Sequence, residues 1–139
     1  MIYLTEVDPF SHKDAEELYA LLEERTVQQS ISHKTLPTFK EHFKFVSSEP
    51  YRAWYLIGLN GETVGATYIS YANELGIFIF NKHHGMGYGR EALQEMIRRY
   101  GDRDLLANIN PENTTSKRFF IDLGFEKLQE TYVLRSLKV

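Results

Sequence analysis

The chain of 139 residues contains no cysteine. That excludes disulfides, thiolate nucleophiles, acyl-cysteine intermediates and cysteine-ligated metals, and it fits a reducing compartment. Positive charge is in short supply: 16 Lys and Arg against 19 Asp and Glu leave a net charge of −3. No global basic surface announces a nucleic-acid partner. No apolar run approaches the ~18 residues of a membrane span. The opening residues, Met1-Ile2-Tyr3-Leu4-Thr5-Glu6, lack the basic-then-apolar layout of a secretory leader. Neither a membrane nor a nucleic acid is expected as a partner, and a cytoplasmic location is the default. The five histidines show no H-x-x-x-H spacing, so no metal site is expected.

What remains is a composition of 42% hydrophobic and 25% charged residues, rich in aromatics (nine Tyr, nine Phe). It suits a globular protein with a real core, and the length suits one domain, residues 1–139. There is no internal repeat, linker or low-complexity stretch.

Ile2 to Val7 reads as a strand closed by Asp8-Pro9. Ser11 and Asp14 have capping-box spacing and open a helix to Arg25, with Leu18, Leu21 and Leu22 on its buried face. Thr26 to Leu36 is polar and irregular, a loop or a frayed second helical turn. After Pro37, Thr38 and Glu41 repeat the cap and start a helix to about Ser48. On it, His42 reads as a packing histidine among phenylalanines. Tyr51 to Leu59 and Thr63 to Tyr71 are strands around Asn60-Gly61, a two-residue hairpin signal. Glu74 to Phe80 completes an antiparallel meander.

The meander runs into His83-His84-Gly85-Met86-Gly87-Tyr88-Gly89-Arg90, and then into a helical pattern ending near Gly101. The first N–H groups of a helix lack internal partners and carry partial positive charge. Glycines let an anion approach them, which points to a phosphate or pyrophosphate site. A P-loop would need Lys-Ser/Thr where Arg90-Glu91 stands. A dinucleotide fingerprint would need G-x-G-x-x-G where G-x-G-x-G stands. Asp104 to Ile109 is expected to be a strand, Asn113 to Leu123 a helix stopped by Gly124, and Phe125 to Leu137 the final strand or strands. The plan is β-α-α-β-β-β-α-β-α-β, an α/β fold with a mixed sheet and helices on both faces.

His84-Gly85-Met86-Gly87-Tyr88-Gly89 resembles the Arg/Gln-x-x-Gly-x-Gly/Ala signature of the GNAT superfamily of acyl-CoA-dependent N-acyltransferases. Asn113-x-x-Ser116-x-x-x-Phe120-x-x-x-Gly124-Phe125 resembles a second block of the same family. The resemblance covers roughly residues 50–128. It implies a central, mostly antiparallel sheet splayed between its fourth and fifth strands, and acetyl-CoA or a related acyl-CoA as co-substrate. By position, the backbone of Gly85, Met86, Gly87, Tyr88, Gly89 and Arg90 would hold the pyrophosphate, with His84 at the Arg/Gln position and Lys82 and His83 adding charge. Main-chain groups of Ile77, Phe78 and Ile79 would pair with the pantetheine, and Asn113 and Ser116 would contact the cofactor arm.

The resemblance implies direct amine attack in a ternary complex, with strand-four amides steadying the oxyanion. Glu74 is the candidate base. The family's usual acid, a Tyr, is replaced by Phe120. Tyr132 on the last strand is the candidate acid, with Tyr88 and Tyr68 behind it. The acceptor would lie against residues 25–45 and 125–139. Arg25, His33 and Lys34 are candidate contacts for phosphate or hydroxyls of the acceptor, a small-molecule amine, including a nucleotide-linked amino sugar. A protein or peptide amine, and a non-catalytic acyl-CoA-binding module, are the alternatives. A homodimer through edge strands or the C-terminal segment is a further expectation.

Overall fold

The computed structural model describes residues 1–28 and 35–137. The chain divides into two compact units, Met1–Asn108 and Ile109–Val139.

In the first unit, β1 (Tyr3–Glu6), β2 (Ala53–Leu59), β3 (Glu62–Ile69) and β4 (Leu75–Ile79) form one antiparallel sheet in the order β1-β2-β3-β4. The β2–β3 turn uses Asn60 at φ 50° and Gly61 at φ 80°, the positive values that an Asn-Gly hairpin supplies. Helices α1 (His12–Gln28) and α2 (Phe39–Ser47) pack on one face, where Ala15, Leu18, Leu21 and Val46 meet Leu56 and Ala66. The other face joins Ile2, Ile57 and Val64 to Ala92 of α3 (Tyr88–Tyr100).

Val64 and Ala66 are two residues apart yet belong to opposite layers. The reason is a bulge: Ile57 pairs with Gly65 and Gly58 with Thr63, so Val64 is the extra residue and the strand's inside and outside exchange there. The second capping signal is realised in full and the first in half, because the Asp14 carboxylate accepts from the Asp8 N–H at 2.8 Å and not from Ser11. The Ser11 hydroxyl accepts from the Asp14 N–H at 3.1 Å, and Thr38 and Glu41 form a reciprocal box at the start of α2. No helix among the described residues is long and apolar enough to cross a membrane.

The second unit contains α4 (Thr114–Asp122), closed at Gly124, whose φ is +101°. Phe120 is buried in it, edge-on to Phe119 at 5.3 Å and to Phe125 at 5.2 Å.

Two expected strands are absent among the described residues. Residues 104–108 meet β4 at a single parallel bridge, Glu74 to Leu106. Asn108, Asn110 and Pro111 follow at once, and such residues are poor strand formers. Residues 125–137 hold no strand either. Tyr132, Val133 and Leu134 stand consecutively and are 65–89% exposed, so no alternation buries one side of the segment.

Candidate active site

β4 is the edge of the sheet, and its parity decides which main-chain groups face outward. Phe80 donates its N–H to Val64 of β3 at 2.9 Å, whereas Leu75 donates away from β3, to Leu106 at 2.7 Å. Even-numbered residues of β4 therefore point to β3, and odd-numbered ones to the edge. Ile77 and Ile79 are the residues whose N–H and C=O face outward. Phe78, expected beside them, directs its main chain to Ala66 instead. The Leu106 bridge closes only the beginning of this edge, and among the described residues no strand pairs with it from Gly76 onward.

Glu74 stands at that bridge. Its carboxylate accepts from the Asn108 side-chain amide at 2.5 Å and from the Ser70 hydroxyl at 3.3 Å. The Ser70 oxygen in turn accepts from the Glu74 N–H at 3.0 Å. The side chain is half-buried and held in one orientation at the mouth of the open edge.

The chain leaves β4 through a 3-10 turn, Asn81–His83, and reaches α3 through the glycines. Gly85 has φ +77° and Gly87 has φ +83°; Gly87 is the N-cap residue of α3 and offers no side-chain cap. Among the described residues, and apart from its chain neighbours, no atom lies within 4 Å of where a Cβ would stand at either glycine. The first bond of the helix is from the Glu91 N–H to the Gly87 carbonyl, so the N–H groups of Tyr88, Gly89 and Arg90 precede the ladder. Met86 is 64% exposed. This is a cradle of bare backbone beside an open strand edge, and it fits an anionic, extended ligand.

The basic residues before the turn behave differently from expectation. The His84 ring Nε2 lies 2.7 Å from the Ile79 carbonyl oxygen, a contact that stitches the turn to the last outward-facing carbonyl of β4. Lys82 is spent on Glu62 at 2.8 Å, and His83 lies 3.5 Å from the same carboxylate. Arg90 is exposed at the start of α3.

In the second unit, the Asn113 side-chain oxygen accepts from the Ser116 N–H at 3.0 Å and caps α4. Both are half-buried. The Tyr132 hydroxyl donates to Glu130 at 2.6 Å, and the ring is 87% exposed.

A cavity of about 400 Å³ lies between α1, α2 and the sheet; part of its lining falls within residues 25–45, where the acceptor was expected, and the part from the sheet was not foreseen. Its walls include Arg25, His42, Tyr51, Trp54, Tyr68 and Phe78. Tyr68 stacks on Tyr51 with centroids 3.9 Å apart and lies across β4 at Gly76, where a Cβ would come within 2.1 Å of the Tyr68 ring. Only glycine admits that crossing. The signal was present as Tyr68, Gly76 and Phe78 on adjacent strands, but pairing register was needed to bring them together. His33 and Lys34 lie outside the described residues.

The acetyltransferase (GNAT) domain family matches residues 6–126, most of the chain. The chain belongs to the GNAT acetyltransferase family. An acetyltransferase from Thermus thermophilus shares 25% identity with it at a TM-score of 0.71, over 94% of this chain and 90% of that one. An N-acetyltransferase from Staphylococcus aureus has the same fold at 16% identity and a TM-score of 0.73, covering 91% and 84%. So does yncA of Salmonella typhimurium, solved with its cofactor acetyl-CoA, at 17% identity and a TM-score of 0.71, covering 90% and 79%. No curated relative matches the sequence. This GNAT chain departs from the family pattern in two places already seen, His84 in the turn and Phe120 in α4. The first is tied to β4, and the second is packed in an aromatic cluster.

Proposed function

We propose that the protein transfers the acetyl group of acetyl-CoA to a primary amine of a small molecule, by direct attack within a ternary complex. The observation that carries this reading is the glycine cradle at the N-terminus of α3 beside the outward-facing groups of Ile77 and Ile79. The open space at Gly85 and Gly87 fits a pyrophosphate, and the strand edge fits the amide-bearing pantetheine arm. Gly85 to Arg90 would hold the first and Ile77 and Ile79 the second, with Asn113 and Ser116 as further contacts. Acetyl-CoA supplies an acetyl group already activated as a thioester. The family model runs across the boundary between the two units, which supports reading residues 1–139 as one domain.

An amine must lose a proton before or during attack. Glu74 is the base in this reading, because Asn108 and Ser70 hold its carboxylate where the strand edge opens. Tyr132 is the acid, with the weaker case, since its hydroxyl already donates to Glu130. The cavity under α1 and α2 is on the scale of small-molecule sites. That favours a small acceptor over a protein one. Nothing in the described contacts singles out a nucleotide-linked amino sugar.

Release of CoA thiol by a panel of amines tests the reading. A thiol reagent sees only product, because the protein has no cysteine. Amine-dependent release is expected. Acetyl-CoA binding without release from any amine would leave only a binding module.

A further inference from the structure

The cavity under α1 and α2 is mostly apolar, yet it contains two polar groups with unused capacity. Arg25 places its guanidinium 3.9 Å above the Phe78 ring. No carboxylate among the described residues forms an ion pair with it. Glu41, the acidic residue at the cavity, is exposed and gives its carboxylate to the Thr38 N–H. A half-buried cation that lies over a ring face and, among the described residues, forms no ion pair gains most from an anion. The hydroxyls of Tyr51 and Tyr68 lie close enough to interact with that guanidinium, and burial pushes the Tyr51 phenol up to about 12. A phenol held as the neutral O–H can donate to an anion.

The second group is His42, which is 5% exposed. Among the described residues its Nε2 has no hydrogen-bond partner, while the ring bonds to the Ala15 carbonyl. A nitrogen facing a carbonyl is a donor, so Nε2 carries the lone pair and can accept a hydrogen bond. Burial lowers the pKa of the ring and keeps it neutral.

We infer that the acceptor of this enzyme is an acidic amine: its carboxylate, phosphonate or phosphinate pairs with Arg25, and its apolar body lies against Tyr51, Trp54 and Tyr68. The inference rests on the acetyl-transfer reading above and narrows it to a class of substrate.

Trp54 is the single tryptophan of the chain and lines the cavity, so its fluorescence reports occupancy without any need for turnover. The protein is titrated with L-phenylalanine and L-methionine, each against its own amide, and with the aminophosphonate analogue of phenylalanine. The acids are expected to bind at least about ten-fold more tightly than their amides. Preference for the phosphonate over the carboxylate would identify the anion. Arg25→Gln is expected to abolish the acid preference and leave acetyl-CoA affinity within about two-fold. Arg25→Lys is expected to keep it in part. Equal binding of acid and amide, no binding of any acid, or an unchanged preference in Arg25→Gln would overturn the inference. The comparison on the unmodified protein decides the matter even where Arg25→Gln does not fold. Acid binding without thiol release would leave the inference standing and remove the acetyl-transfer reading. Thiol release from amides and not from acids would do the reverse.

Discussion

Glu74 and His42 show how single side chains acquire a role from what surrounds them. Glu74 is fixed by Asn108 and Ser70 at the mouth of the strand edge. Replacing it with Gln keeps the shape and removes the proton acceptor. Glu74→Gln is therefore expected to lower kcat/KM by roughly 10² or more. An unchanged kcat/KM would clear Glu74 of the role. Tyr132→Phe is the matching test of the acid; a fall in kcat of about 10² would support it, and normal turnover would remove it. His42 titrates below the ordinary histidine value of 6.5 because it is buried. Between its folded and unfolded values the unfolded chain binds more protons, so stability rises with pH through that window. Urea denaturation is expected to show stability complete above about pH 6.5 and falling below it, with a flatter dependence in His42→Gln.

At the level of elements, the start of α2 is the clearest case of local chemistry setting structure. The Thr38 hydroxyl accepts from the Glu41 N–H at 3.1 Å, and the Glu41 carboxylate accepts from the Thr38 N–H at 2.9 Å. Thr38→Ala is expected to cost about 1 kcal/mol in a urea melt at neutral pH. The hydrogen bonds from Thr38 hold the Glu41 carboxyl below its ordinary 4.5. Its contribution is therefore present above that value and is lost as the pH falls through the folded one. A variant with unchanged stability would show that packing alone starts the helix. Signals of this kind were legible in the sequence because they are local. Thr38 with Glu41, Asn60-Gly61 and Gly87 all act within four residues of themselves. The fifth and last strands were not legible in the same way. Apolar content at 104–109 and 125–137 suggested strands, but a strand exists only with a partner in register. Residues 104–108 find that partner at Leu106 alone.

Across the whole molecule, the candidate site is built mainly from backbone, which explains which parts of it could be read in advance. The cradle follows from glycine positions, and the strand edge follows from parity once one outward bond is known. The cavity under α1 and α2 depends on side chains from α1, α2, β2, β3 and β4, and no single stretch of sequence displays it. The claim at the centre is that bare backbone at the head of α3 holds the pyrophosphate of acetyl-CoA. Gly87 is where that claim is most exposed, because its φ of +83° and the open space beside it both disappear when a branched side chain is added. The measurement is calorimetric titration of acetyl-CoA into the wild-type protein and into Gly87→Val, with circular dichroism to confirm that the variant is folded. Binding to the wild type and a loss of at least about 100-fold in the folded variant are expected. Equal affinity in the two proteins would contradict the assignment of this turn as the cofactor site.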